Sequence, residues 1–141
     1  MIISLTTSPT SSYVRDSNWR TEKFDVDLEF GKSGEYKFKQ IFSDGDKIEV
    51  KTERDIWAKT GNIVIEIECW GKPSGLSTTQ ADYWVHQLSL SGEIIGSFVI
   101  PVQKLKDRIS YLTDNKEVRT VMGGDSFQSR LVLLPISRIF G

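Results

Sequence analysis

The sequence predicts a single α/β (α+β-like) domain in which a mixed central sheet is flanked by helices. Several runs alternate apolar and polar residues with the period of two that is typical of half-buried strands. The segment Val102–Leu112 instead repeats its apolar residues at helical spacing, which indicates an amphipathic helix. With 141 residues, 38% of them hydrophobic, the chain can bury one core without disulfide bonds.

Two alternating segments, 48–54 and 62–69, lie on either side of a short loop that contains Thr60-Gly61-Asn62. Each segment gathers isoleucine or valine on one face and charged residues on the other. We therefore expect an antiparallel hairpin whose register keeps the two apolar faces together, because a slip of one residue would oppose isoleucines to glutamates.

That register crowds charged side chains onto one face of the hairpin. It opposes Glu49 to Glu68 and Lys51 to Glu66, and Glu53 follows on the same face. Directly opposed Cβ atoms lie about 5 Å apart, and like charges at this distance repel by roughly 3 kcal/mol at a dielectric constant near 20. A divalent cation would relieve this repulsion. The alternative is a face open to water, with Lys51 as a simple cross-strand partner.

The order of these charges resembles a known nuclease motif. Glu49-Val50-Lys51, followed by a strand with Glu66-Ile67-Glu68, resembles the restriction-endonuclease-like nucleases of the PD-(D/E)xK superfamily. The resemblance covers residues 24–90 and is closer to small phage-type nuclease-like proteins. The residues that carry it are Lys47, Glu49, Lys51, Thr60-Gly61-Asn62, Ile65-Glu66, Gly71-Lys72-Pro73-Ser74-Gly75-Leu76 and Thr78-Thr79-Gln80-Ala81-Asp82-Tyr83-Trp84.

The resemblance implies a restriction-endonuclease-like core and a metal-dependent DNA endonuclease that hydrolyses phosphodiester bonds, including those of branched, recombination or replication DNA. It implies catalytic roles for Glu49, Lys51 and Glu66. It also implies one or two Mg²⁺ ions, for which Mn²⁺ would substitute, and Mg²⁺ prefers oxygen ligands. The implied metal ligands are Glu35, Glu49, Glu53, Glu66 and Glu68.

One departure from the superfamily pattern leaves the roles open. The superfamily usually has an aspartate one strand before its Glu-x-Lys element, whereas here Ser43-Asp44-Gly45-Asp46 precedes that element with no strand between. Either Glu49 and Lys51 form the element and a neighbouring strand adds a carboxylate, or Glu53 replaces the aspartate and Glu66-Ile67-Glu68 is a variant element. The alternative function is a catalytically inactive nuclease-like module that binds DNA or a protein.

Two further segments bear on the predicted site. Ser33 is a candidate N-cap of a helix through Phe42, on which Glu35 either approaches the metal or complements the helix dipole. Further along, Thr78 or Thr79 would cap a short helix that begins at Gln80. The resemblance places these two threonines and Ser74 near the phosphate of the substrate.

The remaining elements follow from local patterns. His86, the only histidine, lies in an apolar run and is expected to be packed, and Cys69 ends an apolar strand face and is expected in the core. Further strands are predicted at Trp84–Leu90, Glu93–Val102, Val118–Met122 and Arg130–Leu134.

Composition constrains location and partners. The single cysteine excludes an intrachain disulfide bond, no apolar run approaches the roughly 20 residues that span a bilayer, and the start does not resemble a signal peptide. We expect a cytoplasmic protein, in the host cytoplasm if phage-encoded, whose partner is DNA and not a membrane. Resolvases of branched DNA are generally dimers, which leaves a homodimer open. Residues 1–18 are expected to be a mobile lead-in before one domain at 19–141.

Overall fold

A computed structural model describes residues 31–36 and 46–141 of the chain. The chain divides into two units, Met1–Phe42 and Ser43–Gly141. In the first unit, residues 31–36 are helical and exposed. They overlap the helix predicted through Phe42, but Ser33 lies within the helix and is not its N-cap. The predicted lead-in at 1–18 and the rest of that helix lie outside the described residues.

The second unit is a mixed α+β structure with two sheets and few helices. None of the helices in residues 31–36 and 46–141 has the length and apolar character needed to span a bilayer. In chain order the elements are β1 (Ile48–Glu53), α1 (Ile56–Thr60), β2 (Asn62–Cys69), β3 (Lys72–Pro73), a 3₁₀ helix (Gly75–Ser77), β4 (Tyr83–Leu90), β5 (Glu93–Pro101), α2 (Val102–Asp114), β6 (Arg119–Gly123), β7 (Ser129–Pro135) and a second 3₁₀ helix (Ile136–Arg138).

The strands form two sheets and not the single central sheet that the sequence predicts. The first has the order β1-β4-β5 and is mixed, because β1 runs parallel to β4 while β4 and β5 are antiparallel. The second has the order β3-β2-β7-β6 and is antiparallel throughout.

The predicted hairpin between β1 and β2 is wrong. Lys51 pairs with His86 of β4, whereas Glu66 pairs with Leu131 of β7. The two strands therefore belong to different sheets, and the expected opposition of Glu49 to Glu68 does not occur in the ladder.

The segment between the two strands explains why they separate. It forms α1, whose Trp57 packs against the core and donates its indole N–H to the carbonyl of Ser89 at 2.7 Å. Gly61 ends this helix in the left-handed conformation, which glycine adopts without steric cost. A packed helical turn redirects the chain, whereas a two-residue hairpin turn would have returned it beside β1.

The inward face of β1 is also the reverse of the expected one. Ile48 and Val50 are 36% and 53% exposed, whereas Glu49 and Glu53 are half-buried. The alternation itself is correct, but its charged side faces the interior of the unit.

One hydrophobic core joins both sheets and α2. The stripe predicted for α2 is confirmed, since all four of its apolar residues are buried. Members of the core from the sheets and from α2 are Ile63, Ile65, Trp84, Leu88, Ile100, Val102, Leu105, Ile109, Leu112, Val132 and Leu134.

Most other local predictions are confirmed. The strands β4 to β7 form at the predicted positions within about two residues. The helix predicted to begin at Gln80 is absent, because Thr79 accepts the N–H of Ala81 and the carboxylate of Asp82 accepts the N–H of Lys47. Thr79, expected to cap a helix, and Asp82 thus hold an irregular segment that leads into β4.

Candidate functional site

A cleft of about 290 Å³ opens where β1 of the first sheet approaches β2 of the second. Charged groups from both strands face it, together with two aromatic rings of β4. Its lining consists of Lys51, Thr52, Glu53, Val64, Glu66, Trp84, His86 and Leu131. The structure thus brings the polar faces of β1 and β2 to one place, although the strands are not paired.

Glu49 lies outside the lining of the cleft but forms an ion pair with Lys51, which lines it. They are two residues apart on β1, so their side chains project to the same face, and their Oε1 and Nζ atoms are 2.9 Å apart. Lys51 also lies over the ring of Trp84, 5.9 Å from its centroid. Burial is the largest influence on Glu49 and raises its pKa, but the hydroxyl of Thr79 together with Lys51 outweighs it, and the net pKa is lowered.

Glu66 is held from two sides by hydroxyl groups. Ser74 donates to its Oε1 and Ser129 to its Oε2, each at 2.7 Å. These two hydrogen bonds lower the pKa of Glu66, desolvation opposes them, and the positive charge of Lys51 lowers the pKa further. Lys51 therefore acts electrostatically on Glu49 of its own strand and on Glu66 of the other sheet.

Local backbone geometry produces the position of Glu66. The register of β2 against β7 shifts between Glu66 and Glu68, as in a β-bulge. The chain then turns back, so that the N–H of Ser74 donates to the carbonyl of Ile67 at 3.0 Å. At Gly75 the backbone has φ +56°, and a Cβ there would lie 2.3 Å from the carbonyl oxygen of Glu66. Only glycine permits this close approach.

Glu53 links the two sheets. Its Oε2 accepts the N–H of Val64 at 2.8 Å and lies 3.1 Å from Nε2 of His86. The indole N–H of Trp84 donates to Nδ1 of His86 at 3.1 Å. Because an indole nitrogen only donates, Nδ1 is the acceptor, and the neutral imidazole carries its proton on Nε2 and donates it to Glu53. His86 is buried, as predicted.

The other predicted site residues lie elsewhere. Glu68 lies outside the lining of the cleft and forms an ion pair with Arg130 at 2.8 Å. Thr78 is exposed and ends the first 3₁₀ helix, where its N–H donates to Gly75. Glu35 is exposed on the helical stretch of the first unit. Cys69 is half-buried and free, so it is less enclosed than a core residue.

The fit of a metal ion depends on the carboxylates around Lys51. Within residues 31–36 and 46–141, no three side chains of histidine, cysteine, aspartate or glutamate converge as a metal-binding group. Glu49 and Glu66 nevertheless keep acceptor capacity, since each carboxylate oxygen has two lone pairs. Mg²⁺ commonly retains several waters and takes one or two carboxylates together with substrate phosphate. The arrangement fits such a hydrated ion better than one enclosed by protein ligands.

Ser129 is the main site residue that sequence reasoning missed. It lies 63 residues from Glu66 in the chain and belongs to no motif, so only the pairing of β2 with β7 brings it to the cleft. The bond between Trp84 and His86 has a weak local signal, because residues two apart on a strand share a face.

No protein-family model, curated protein or solved structure matches this chain. The functional hypothesis therefore depends on the contacts in the cleft and on the motif resemblance.

Proposed function

We propose that the chain is a metal-dependent DNA endonuclease with a restriction-endonuclease-like core, which hydrolyses phosphodiester bonds. The observation that carries this proposal is the position of Lys51. Its ammonium group pairs with Glu49 at 2.9 Å, and its charge also acts on Glu66 from the second sheet. Glu66 and Lys51 line one cleft, and Glu49 is paired with Lys51 beside it. Ionised carboxylates and a lysine are the groups that metal-assisted hydrolysis of a phosphate needs.

In this mechanism Glu49 and Glu66 would hold Mg²⁺, for which Mn²⁺ would substitute. A bound ion would supply Lewis acidity to the scissile phosphate and to water. Lys51 orients the attacking water and offsets negative charge that develops on the phosphate. Its side chain is 47% exposed, which leaves the ammonium group accessible to substrate.

The hydroxyl groups near the carboxylates position them. Ser74 and Thr79 donate to Glu66 and Glu49 respectively, and hydrogen bonds of this kind fix the orientation of metal-ligating carboxylates. We therefore assign to Ser74 and Thr79 the main role of positioning these carboxylates. Contact with the substrate phosphate, which the motif resemblance implies, would be their second role. Ser129 has the same positioning role on the other oxygen of Glu66.

The direct test is cleavage of supercoiled plasmid and of branched DNA in Mg²⁺, with EDTA as the metal-free condition. Lys51→Ala and Glu66→Ala should each lower the cleavage rate by about 10²–10³-fold, the usual effect of removing one group that stabilises the transition state. Lys59→Ala and Glu93→Ala, which remove the same charges from exposed positions, should leave the rate unchanged. Full activity in both cleft variants would remove this mechanism.

The contacts of two predicted ligands favour a second candidate, a nuclease-like module that binds DNA or a protein without cleaving it. Of the predicted ligands, Glu53 is engaged by Val64 and His86, and Glu68 is engaged by Arg130. A thermal shift in Mg²⁺ or Mn²⁺ without any cleavage of DNA would favour this module over the endonuclease.

A further inference from the structure

Two large aromatic side chains are exposed to solvent at neighbouring turns of the second sheet. Trp70, between β2 and β3, and Phe127, between β6 and β7, are each 72% exposed. Single exposed apolar residues are common on protein surfaces and need no explanation. Here two of the largest side chains lie in adjoining turns, each with most of its surface open to solvent.

The backbone conformation at both positions is unfavourable for an aromatic residue. Trp70 has φ 53° and Phe127 has φ 52°, a left-handed conformation that is unfavourable for bulky side chains and easy for glycine. Glycines already occupy the neighbouring left-handed positions Gly71 and Gly124. An aromatic residue at a backbone position where glycine would fold more easily carries a local cost that a function of the ring would explain.

The two turns are joined to each other and to the cleft. The N–H of Trp70 donates to the carbonyl of Gln128 at 2.8 Å, directly after Phe127 in the chain. Ser129, the next residue, donates its hydroxyl to Glu66 of the cleft. The aromatic pair is therefore continuous with the proposed site through three consecutive residues.

Basic side chains accompany the pair. Lys72 is exposed and pairs through the backbone with Cys69, the residue before Trp70. Arg130 is 49% exposed and shares its charge with Glu68, and Asp125 lies in the turn of Phe127. Exposed aromatic rings beside cations are the combination that binds single-stranded nucleic acid, in which bases stack on rings and cations meet phosphates.

We infer that Trp70 and Phe127 form a stacking platform for unpaired bases of DNA, with Lys72 at the adjacent phosphate. In a duplex the base faces are covered by neighbouring pairs, so the platform selects single-stranded or branched DNA. The inference rests on the proposed function because it assigns the substrate class of the same cleft. Stacking itself needs no metal and no cleavage.

The test compares binding of a fluorescein-labelled 12-mer of deoxythymidine with binding of a 12-bp duplex, measured by anisotropy in EDTA. The double variant Trp70→Gly/Phe127→Gly removes both rings and suits the left-handed backbone, so it should remain folded. We expect Kd for the single strand to rise roughly tenfold or more, as alanine substitution of stacking residues does, while duplex binding changes less than twofold. Phe140→Ala, which removes an equally exposed ring elsewhere, should leave both affinities unchanged.

Each other outcome overturns the platform. In the binding assay these are unchanged single-strand binding by the double variant, an equal loss of affinity for duplex and single strand, or no DNA binding by the wild type. A wild type that is dimeric while the double variant is monomeric would show that the two rings form a dimer interface. Binding of the wild type to phosphatidylserine vesicles and not to DNA would show that they contact lipid. Binding as expected without any cleavage in Mg²⁺ would reject the endonuclease alone. Cleavage that depends on Lys51 while the double variant binds normally would reject the platform alone.

Discussion

At Glu66, two hydroxyl groups and a lysine stabilise the ionised form of one half-buried carboxylate. Its pKa lies below the ordinary value of 4.5, chiefly because of Ser74 and Ser129. A carboxyl group whose pKa is lower in the folded than in the unfolded protein contributes stability above the unfolded value. That contribution is lost as the pH falls through the folded value.

Ser129→Ala should therefore destabilise the protein in a pH-dependent way. The loss at pH 7 should be about 1 kcal/mol, the usual size for a hydrogen bond of this kind, and it should shrink as the pH falls below 4.5 and through the lowered pKa of Glu66. Urea unfolding at pH 7 and pH 3 measures the stability, and a ¹³C NMR titration of Glu66 should show its pKa rising towards 4.5. Ser126→Ala, at an exposed turn position, is the control. An equal loss at both pH values would contradict this account.

At the scale of the element, the turn from β2 to the 3₁₀ helix fixes the position of Glu66. Gly75→Ala would place a Cβ 2.3 Å from the carbonyl oxygen of Glu66, at φ +56°. We expect a loss of about 3 kcal/mol, at the upper end for a strained backbone position, and displacement of Ser74 from Glu66.

Gly71→Ala is the matched comparison for that substitution. Gly71 has φ +70° but open space around its missing side chain, so it should lose only about 1 kcal/mol. Urea unfolding measures both variants, and the chemical shift of the Glu66 carboxyl group reports the local displacement. Equal losses would mean that the close approach to Glu66 contributes nothing.

The positions of most helices and strands could be predicted from the sequence, but the pairing of β1 could not. Strands β4 to β7 and helix α2 were predictable because alternation and helical spacing are local properties of the chain. The partner of β1 was not, because nothing in its alternation distinguishes the distant β4 from the nearby β2. The prediction of which face of β1 points inward was wrong for a related reason, since Ile48 and Val50 are apolar yet exposed while Glu49 faces inward.

The candidate site was predictable where it depends on neighbouring residues of one strand. Glu49 and Lys51 share a face because they are two residues apart, and Lys51 lines the same cleft as Glu66 even though the predicted hairpin does not form. Ser129 and the link from His86 to Glu53 depend on pairings between distant segments. Those pairings are set by the tertiary fold and have no local signal.

At the scale of the whole unit Ser43–Gly141, one core makes the two sheets interdependent. Trp84 and Ile100 come from the first sheet, Ile65 and Val132 from the second, and Leu105 from α2, and all belong to a single cluster. Glu53 adds a polar link between the sheets through the N–H of Val64. A cleft formed by both sheets keeps its shape only while this shared core is intact.

The shared core predicts that both sheets lose stability together when α2 is weakened. Leu105 is 1% exposed, and Leu105→Ala should lower the free energy of unfolding by about 3 kcal/mol, because a cavity remains where the side chain packed. Amide hydrogen exchange should show protection falling by the same amount in β4 and in β7, as expected for one cooperative unit. Tyr111→Ala, on the exposed side of α2 at 52% exposure, should change stability by less than about 0.5 kcal/mol. Loss of protection confined to β4 would show that the sheets unfold separately, and the cleft between them would then open without global unfolding.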